Sequence, residues 1–262
     1  MKILVCVKQV ADMDAQLDLD QENGWLAEDS AVEYRMNRFD EFALEEAVRI
    51  KETHPGTKVD VLSLGPARVA DTLKRAIGMG ADHGIHIDHP EKGFLSPDVT
   101  AELIGRYTQH QKYDFILTGV MAEDDMHCLV GPMLASYLNI PCAVSVIRTF
   151  PDMSPETITV TCELEGGIRQ KVLLSLPAVL TVQSGINRPR YPSLSNILRS
   201  RKQELQVIPA KELSEQYSDT MLQSVSLPPR SDNLQFIEGS LEEKAEKLLN
   251  ILHEKSLLKL SK

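Results

Sequence analysis

No two cysteines in this 262-residue chain are spaced C-x-x-C; Cys6, Cys128, Cys142 and Cys162 lie far apart. That spacing argues against a redox dithiol, a structural zinc site and a disulfide framework, and casts the four as small buried hydrophobes. No apolar run approaches the roughly 18 residues of a membrane span, which argues against direct membrane insertion. Basic residues are outnumbered, 28 against 38 acidic, for a formal charge of −10. Such a balance disfavours nucleic acid and anionic lipid as partners, because both demand clustered cations. Neither G-x-G-x-x-G nor a Walker lysine motif occurs, so a dinucleotide fingerprint and a P-loop are without support. Serine-nucleophile motifs are missing too. Hydrophobic residues at 42% and charged residues at 25% fit one large α/β domain, or one domain with a small appendage.

The order of elements supports that class. Ile3–Val7 has the continuous apolar character of a strand buried on both faces. It stops at Lys8-Gln9 with Asp12 and Asp14 beyond, which points to a first strand rather than a secretion signal, and to a cytoplasmic protein. A helix is expected over Glu41–Lys51, capped by Asn37 or Asp40. Val59–Ser63 is a second strand, followed by a helix bearing Val69, Leu73, Ala76 and Ile77. Gly84–Asp88 is a third strand, Pro97–His110 a helix, Tyr113–Thr118 a fourth strand and Met126–Leu138 another helix. Strands alternating with single helices imply a parallel twisted sheet with helices on both faces, a Rossmann-like arrangement. After Pro141 the short runs Ala143–Thr149, Thr157–Glu163, Ile168–Leu176 and Ala178–Val182 suggest added antiparallel hairpins. From Arg188 the chain turns basic, prolyl and irregular. Past Pro228-Pro229 an amphipathic helix over Leu241–His253 has too few apolar residues for a core of its own. The expected division is residues 1–225, then an extended C-terminal arm over 226–262.

Parallel sheets bind ligands beyond the carboxyl ends of their strands. The most site-like segment there is Gly119-Val-Met-Ala-Glu-Asp-Asp125, running on through Met126, His127, Cys128, Leu129, Val130, Gly131, Pro132 and Met133. A glycine turn leading to helix-start amides suits an adenine-nucleotide phosphate, and equally suits an ordinary polar loop. Asp124-Asp125 could hold Mg²⁺ or cap the following helix. His83 and His86 fall on opposite faces of their strand, which opposes a metal site with His89. His127 and Cys128, neighbours on the expected helix, would point about 100° apart, poor geometry for a nucleophile and its base. The residues thus offer a nucleotide-sized site without a catalytic constellation.

Several ordered motifs are similar to one known family. Val5-Cys6-Val7-Lys8-Gln9-Val10 and Met36-Asn37-Arg38-Phe39-Asp40-Glu41 with Ala43–Ala47 are two of them. Gly65-Pro66 and Met79-Gly80-Ala81-Asp82 follow. The most specific are Glu163-Leu164-Glu165-Gly166-Gly167, Leu176-Pro177-Ala178-Val179-Leu180-Thr181 and Asn187-Arg188-Pro189-Arg190-Tyr191-Pro192-Ser193-Leu194-Ser195-Asn196-Ile197. Over nearly its whole length the chain resembles the electron transfer flavoprotein beta subunit family. The resemblance implies a heterodimer with an alpha subunit that supplies most contacts to a shared FAD. It also implies a flow of electrons from acyl-CoA dehydrogenase-type flavoenzymes to a quinone-linked or other acceptor. The beta subunit itself would be an electron carrier without substrate chemistry of its own.

A second adenine nucleotide, AMP or a second FAD as in electron-bifurcating members, would lie in the beta subunit. Its contacts would come from Cys6, Asn37, Arg38, Phe39, Asp40, Leu64, Gly119 and the stretch Asp124 through Leu134 and Ala135. Partner contacts would come from a recognition segment, 183–202, with Tyr191, Leu194, Asn196, Ile197 and Arg199, and from Glu163, which would face an arginine of alpha. The tail helix would embrace alpha. Where relatives carry Asn/Ala-Gln-Thr-Gly, this chain has Cys128-Leu129-Val130-Gly131, and Val120 replaces a basic residue. These departures imply a diverged second site. Two rivals remain. A universal-stress-type ATP/AMP-binding module would show a G-x-x-G motif, and an adenylating enzyme a glycine-rich triphosphate loop.

Overall fold

A computed structural model describes residues 1–12, 14, 18–20, 25–26, 32–89, 93–150, 156–214, 222–226 and 236–258. The chain divides into two compact units, Met1–Val225 and Ser226–Lys262. The first opens with β1 (Lys2–Cys6), β2 (Gln9–Ala11), β3 (Leu19–Asp20), β4 (Trp25–Leu26) and β5 (Tyr34–Met36). It continues α1 (Arg38–Thr53), β6 (Lys58–Gly65), α2 (Val69–Met79), β7 (His83–Asp88), α3 (Pro97–Thr108), β8 (Phe115–Gly119) and α4 (Val130–Leu138). Then come β9 (Cys142–Thr149), β10 (Thr157–Glu163), β11 (Arg169–Ser175) and β12 (Ala178–Val182). Last are α5 (Leu194–Lys202), β13 (Gln206–Pro209) and α6 (Ala210–Leu213).

β1 shows why the sheet is central. Successive side chains of a strand point to opposite faces, so a strand covered on both sides must be apolar throughout. Ile3, Val5 and Val7 enter one buried cluster with Ala43, Leu44, Ala47 and Val48 of α1 and Leu73, Ala76 and Ile77 of α2. Leu4 and Cys6 enter the other with Val99, Leu103 and Tyr107 of α3 and Leu134 and Ala135 of α4. The sheet order is β11-β10-β9-β12-β8-β1-β6-β7-β13. Winding runs outward from β1 through β6 to β7, then returns across β1 to β8. The strand order therefore reverses between β1 and β8, the place where such sheets open a crevice.

Several sequence expectations change. Ala178–Val182 is not part of an antiparallel meander: β12 lies between β8 and β9 and is parallel to both. Within the nine-stranded sheet only the pairings of β10 with β9 and with β11 are antiparallel; outside it β2 pairs with β5 and β3 with β4, both antiparallel. The region after Arg188 is not wholly irregular. It forms α5, so the recognition segment is helical from Leu194, and then β13, a parallel edge strand beside β7. α5 lies close on α2: a Cβ at Gly78 would come within 3.6 Å of Ser200 Oγ and 3.9 Å of the Asn196 carbonyl oxygen. α4 begins at Val130 rather than Met126. Pro228-Pro229 falls outside the described residues.

In the second unit α7 (Leu241–Glu254) starts with a reciprocal cap. Ser240 Oγ accepts from Glu243 N–H at 3.2 Å, and Glu243 Oε2 accepts from Ser240 N–H at 2.8 Å. None of its residues is buried, and Leu241, Leu248 and Leu249 are exposed. Among the described residues no helix is long and apolar enough to cross a membrane.

Candidate functional site

A cleft of about 190 Å³ opens at the reversal point. Its floor is tied together by Asp40, in the first turn of α1. Asp40 Oδ2 accepts from the Lys8 amide at 2.7 Å and Oδ1 from the Gly119 amide at 2.9 Å, joining the ends of β1 and β8. Gly119 has no alternative, because a Cβ there would meet Asp40 and come within 2.7 Å of Phe39 Cβ. Burial pushes the Asp40 carboxyl up to about 7 against the pull of those two amides. Burial, with the Asp40 charge adding, also raises the Cys6 thiol, so Cys6 is no nucleophile at neutral pH.

Asn37 precedes α1 but does not cap it with its side chain. Nδ2 donates instead to the Met121 carbonyl at 2.8 Å, and Oδ1 accepts from the Glu123 amide at 3.2 Å, which shapes the loop after β8. Asp124 and Asp125 do not cap α4, whose N-cap position is Leu129. Both take Lys8 Nζ at 2.8 Å. Burial lowers the Lys8 pKa, but the two carboxylates prevail and hold the ammonium above its ordinary value. Met126 and Cys128 adopt φ of 54° and 58°, a left-handed backbone uncommon outside glycine. His127 is therefore in a loop and not on a helix, with its amide donating to Asp125 Oδ1 at 3.0 Å. Gly131 lets the start of α4 settle on the sheet: a Cβ would lie 2.9 Å from Thr118 Oγ1 and against the Thr181 methyl.

The opposite wall is Leu64, Gly65, Pro66 and Arg68, with His89 near the end of β7. His86, buried, hydrogen-bonds the Gly65 carbonyl through Nε2 at 2.8 Å, whereas His83 is exposed. Arg68 lies 4.3 Å over the Tyr34 ring. Trp25 and Phe94 complete the lining, their ring centroids 5.1 Å apart and planes tilted by 52°, with Phe94 edge-on to His127 at 5.6 Å.

Of the expected nucleotide contacts, Cys6, Asn37, Asp40, Leu64, Gly119, Asp124, Asp125 and His127 through Gly131 line this one cleft. The others stand off it. Arg38 pairs with Asp14 and Glu123, Leu134 and Ala135 are in the core, and Met126 and Met133 are exposed. Phe39 sits beneath Gly119 and Pro132 is within α4. Lys8, Gln9, Arg68, His89 and Phe94, from loops beyond the carboxyl ends of β1, β6 and β7 where a parallel sheet is expected to bind, also line the cleft, as do Trp25 and Tyr34, which sequence reasoning had not singled out. Among the described residues no group of three or more His, Cys, Asp or Glu is placed to hold a metal ion.

The expected partner contacts cluster elsewhere. Glu163 ends β10, exposed. Tyr191, Leu194 and Arg199 are exposed, with Asn196 and Ile197 half-buried. The base of this segment is clamped to α1. Arg190 donates to Glu45 through Nε at 2.8 Å and through a terminal nitrogen at 3.0 Å, and to Glu52 at 2.6 Å. Asn187 adds bonds to the Phe42 carbonyl and Glu46, each at 3.0 Å.

Fold and cleft together define an α/β protein of the Rossmann-like type, a mostly parallel sheet with a pocket at the strand-order reversal. The model of the electron transfer flavoprotein domain matches residues 24–213. The electron transfer flavoprotein subunit beta of Methylophilus methylotrophus is 31% identical over 97% of this chain and 98% of its own. The Sus scrofa protein of the same description is 34% identical over 88% of this chain and 90% of its own. That of Bacillus subtilis is 29% identical over 96% and 97%. The chain belongs to the electron transfer flavoprotein beta subunit family.

Proposed function

We propose that this chain is one half of a heterodimer, joined to an alpha subunit that holds most of a shared FAD. The pair carries electrons between acyl-CoA dehydrogenase-type flavoenzymes and a quinone-linked or other acceptor, in the cytoplasm. Family membership over nearly the whole chain carries this reading. FAD, when bound, supplies the redox chemistry. The beta chain supplies shape, contact surface and a second nucleotide site, and transforms no substrate itself.

The cleft suits that second ligand, AMP or another FAD. It is largely apolar, and the Val130 and Gly131 amides stand at the start of α4, where a phosphate is favoured. Segment 183–202, fastened through Arg190 and exposing Tyr191 and Leu194, is the surface for the dehydrogenase. Residues 226–262, with the bare leucines of α7, are the arm that embraces alpha, and Glu163 faces alpha as well.

Coexpression with an alpha subunit, followed by release and chromatography of bound nucleotides, tests the assignment. A yellow complex with one FAD and one AMP is the expected result, and two FAD would assign the cleft to flavin. Failure to assemble with any flavin-bearing partner, or turnover of a small substrate by this chain alone, would overturn it.

A further inference from the structure

Toward the cleft the sheet parts into two halves. β1 and β8 pair in register from Ile3 with Phe115 to Val5 with Leu117, and no further. Past that point each strand is held by its outer neighbour. The Val7 amide donates to the Leu62 carbonyl of β6 at 2.8 Å, and the Val120 amide to the Val182 carbonyl of β12 at 2.9 Å. The Asp40 side chain spans the parting, with the Lys8 amide on one oxygen and the Gly119 amide on the other.

This bridge is short of positive charge. Cys6 and Lys8 are the ionisable groups that act on the Asp40 carboxyl. Lys8 Nζ is shared with Asp124 and Asp125, at 2.8 Å from each, so three carboxylates divide one ammonium. On α1 itself Arg38 pairs with Asp14 and Glu123, and Glu41 with Arg75. Across the cleft Arg68 lies over the Tyr34 ring. β8 contributes the Gly119 amide, and the Asn37 side chain adds an uncharged hydrogen bond. Asp40 is 5% exposed, so its charge also forgoes water. A carboxylate so placed has reason to take a proton, and burial brings its pKa up to about 7.

We propose that Asp40 is a proton-operated clasp between the β1 and β8 halves of the sheet, closed when its carboxyl is ionised and slack when it is protonated. The reason is acceptor capacity. An ionised carboxylate accepts strongly at both oxygens. A proton on either oxygen makes it a hydroxyl, a weaker acceptor whose hydrogen must find a partner of its own, and one of the two amide bonds suffers. Closing the clasp puts an unshared charge in a buried place. The ends of β1 and β8 therefore tighten with rising pH while the chain as a whole loses stability. That opposition separates a clasp from a merely structural carboxylate, and it does not depend on which ligand occupies the cleft.

The full chain, isotope-labelled, is followed by NMR over a range of about 1.5 pH units to either side of neutrality. The Lys8 and Gly119 amide resonances should shift with one shared midpoint near 7. The Ile85 amide, in the pairing of β6 with β7, should not follow them. Asp40→Asn fixes the uncharged form, because its Oδ1 can accept one amide while its Nδ2 faces the other. Hydrogen exchange at Gly119 should match that of the wild type at the acid end. At the alkaline end it should be about tenfold faster in Asp40→Asn, the scale of one hydrogen bond to a charged group. Should circular dichroism show Asp40→Asn unfolded, the wild-type resonances alone decide. The clasp is overturned by the lack of a shared inflection, by an inflection that Ile85 shares, or by one that persists in folded Asp40→Asn. An exchange ratio equal at both ends of the range overturns it as well.

Discussion

The cleft and the 183–202 segment both depend on buried carboxylates of α1, but they use them to opposite ends. At the cleft Asp40 points inward and ties β1 to β8, and Lys8 is tied in turn to Asp124 and Asp125. These charged side chains are engaged within the protein, and the lining is largely apolar. At the segment Glu45 and Glu46 hold only the base, through Arg190 and Asn187. Beyond that anchor Tyr191 is 88% and Leu194 75% exposed. One region encloses and the other presents. On the proposed docking role, a fastened base under an apolar tip would lower the ordering cost of binding.

The comparison predicts that damage to the cleft is felt first as lost stability. Gly131→Ala should have the largest effect, about 2–3 kcal/mol, because the new methyl must displace Thr118 or Thr181. Urea unfolding measures it, and a loss under 1 kcal/mol would mean that α4 is not seated on the sheet as described. Arg190→Ala comes next, at about 2 kcal/mol. It strands Glu45, whose side chain is 7% exposed, although Arg190 itself is 36% exposed and so falls short of a fully buried pair. Arg190→Lys keeps the charge without the two-pronged contact and should recover only part of that loss.

A smaller effect separates the two regions by pH. The Asp40 carboxyl, ordinarily near 3.8, is held up to about 7 in the folded chain. Between those values the unfolded chain releases this proton while the folded chain retains it. Stability from Asp40 is therefore greatest near pH 4, falls as pH rises toward 7, and is level above that. The cost of Asp40→Ala should shrink over this window, by on the order of 1–2 kcal/mol. The cost of Arg190→Ala should slope the other way, larger above the ordinary glutamate range than at the acid end, because Arg190 holds the Glu52 carboxyl below its usual value. Parallel unfolding series at several pH values compare the slopes, and equal slopes would dissolve the distinction.

How far the sequence anticipated each region follows from the range of the forces involved. β1 was legible because its apolar run is continuous, and α2 because Val69, Leu73, Ala76 and Ile77 keep a helical period, all four being buried. The parallel placement of β12 was not, since alternation within a strand says nothing about its neighbours. β13 was hidden among exposed and half-buried residues that match any edge. In the cleft, glycine spacing and a βα loop drew attention to 119–131. The loop after β7 that carries Phe94 lies at the ligand-binding end expected of a parallel sheet, but Trp25 comes from the separate β3–β4 pair, and no local pattern announces its arrival. The Asp124-Asp125 pair was visible but its partner was not: Lys8 is 116 residues away from Asp124.

The smallest change in stability should come from the tip of the segment, and it sharpens the comparison most. Leu194 is the first residue of α5, preceded by Ser193, whose Oγ accepts from the Asn196 amide at 3.3 Å. That cap is independent of the leucine side chain, so Leu194→Ala removes exposed surface and nothing that holds the helix. Unfolding free energy should change by less than about 0.5 kcal/mol. On the proposed reading of this segment as the dehydrogenase surface, however, losing its apolar anchor should weaken binding about tenfold or more. Reduction of the αβ complex by a dehydrogenase should then need a higher concentration of complex, with the maximal rate little altered and the nucleotide content unchanged. A loss of bound nucleotide in Leu194→Ala would show that the presenting region and the enclosing region are one site.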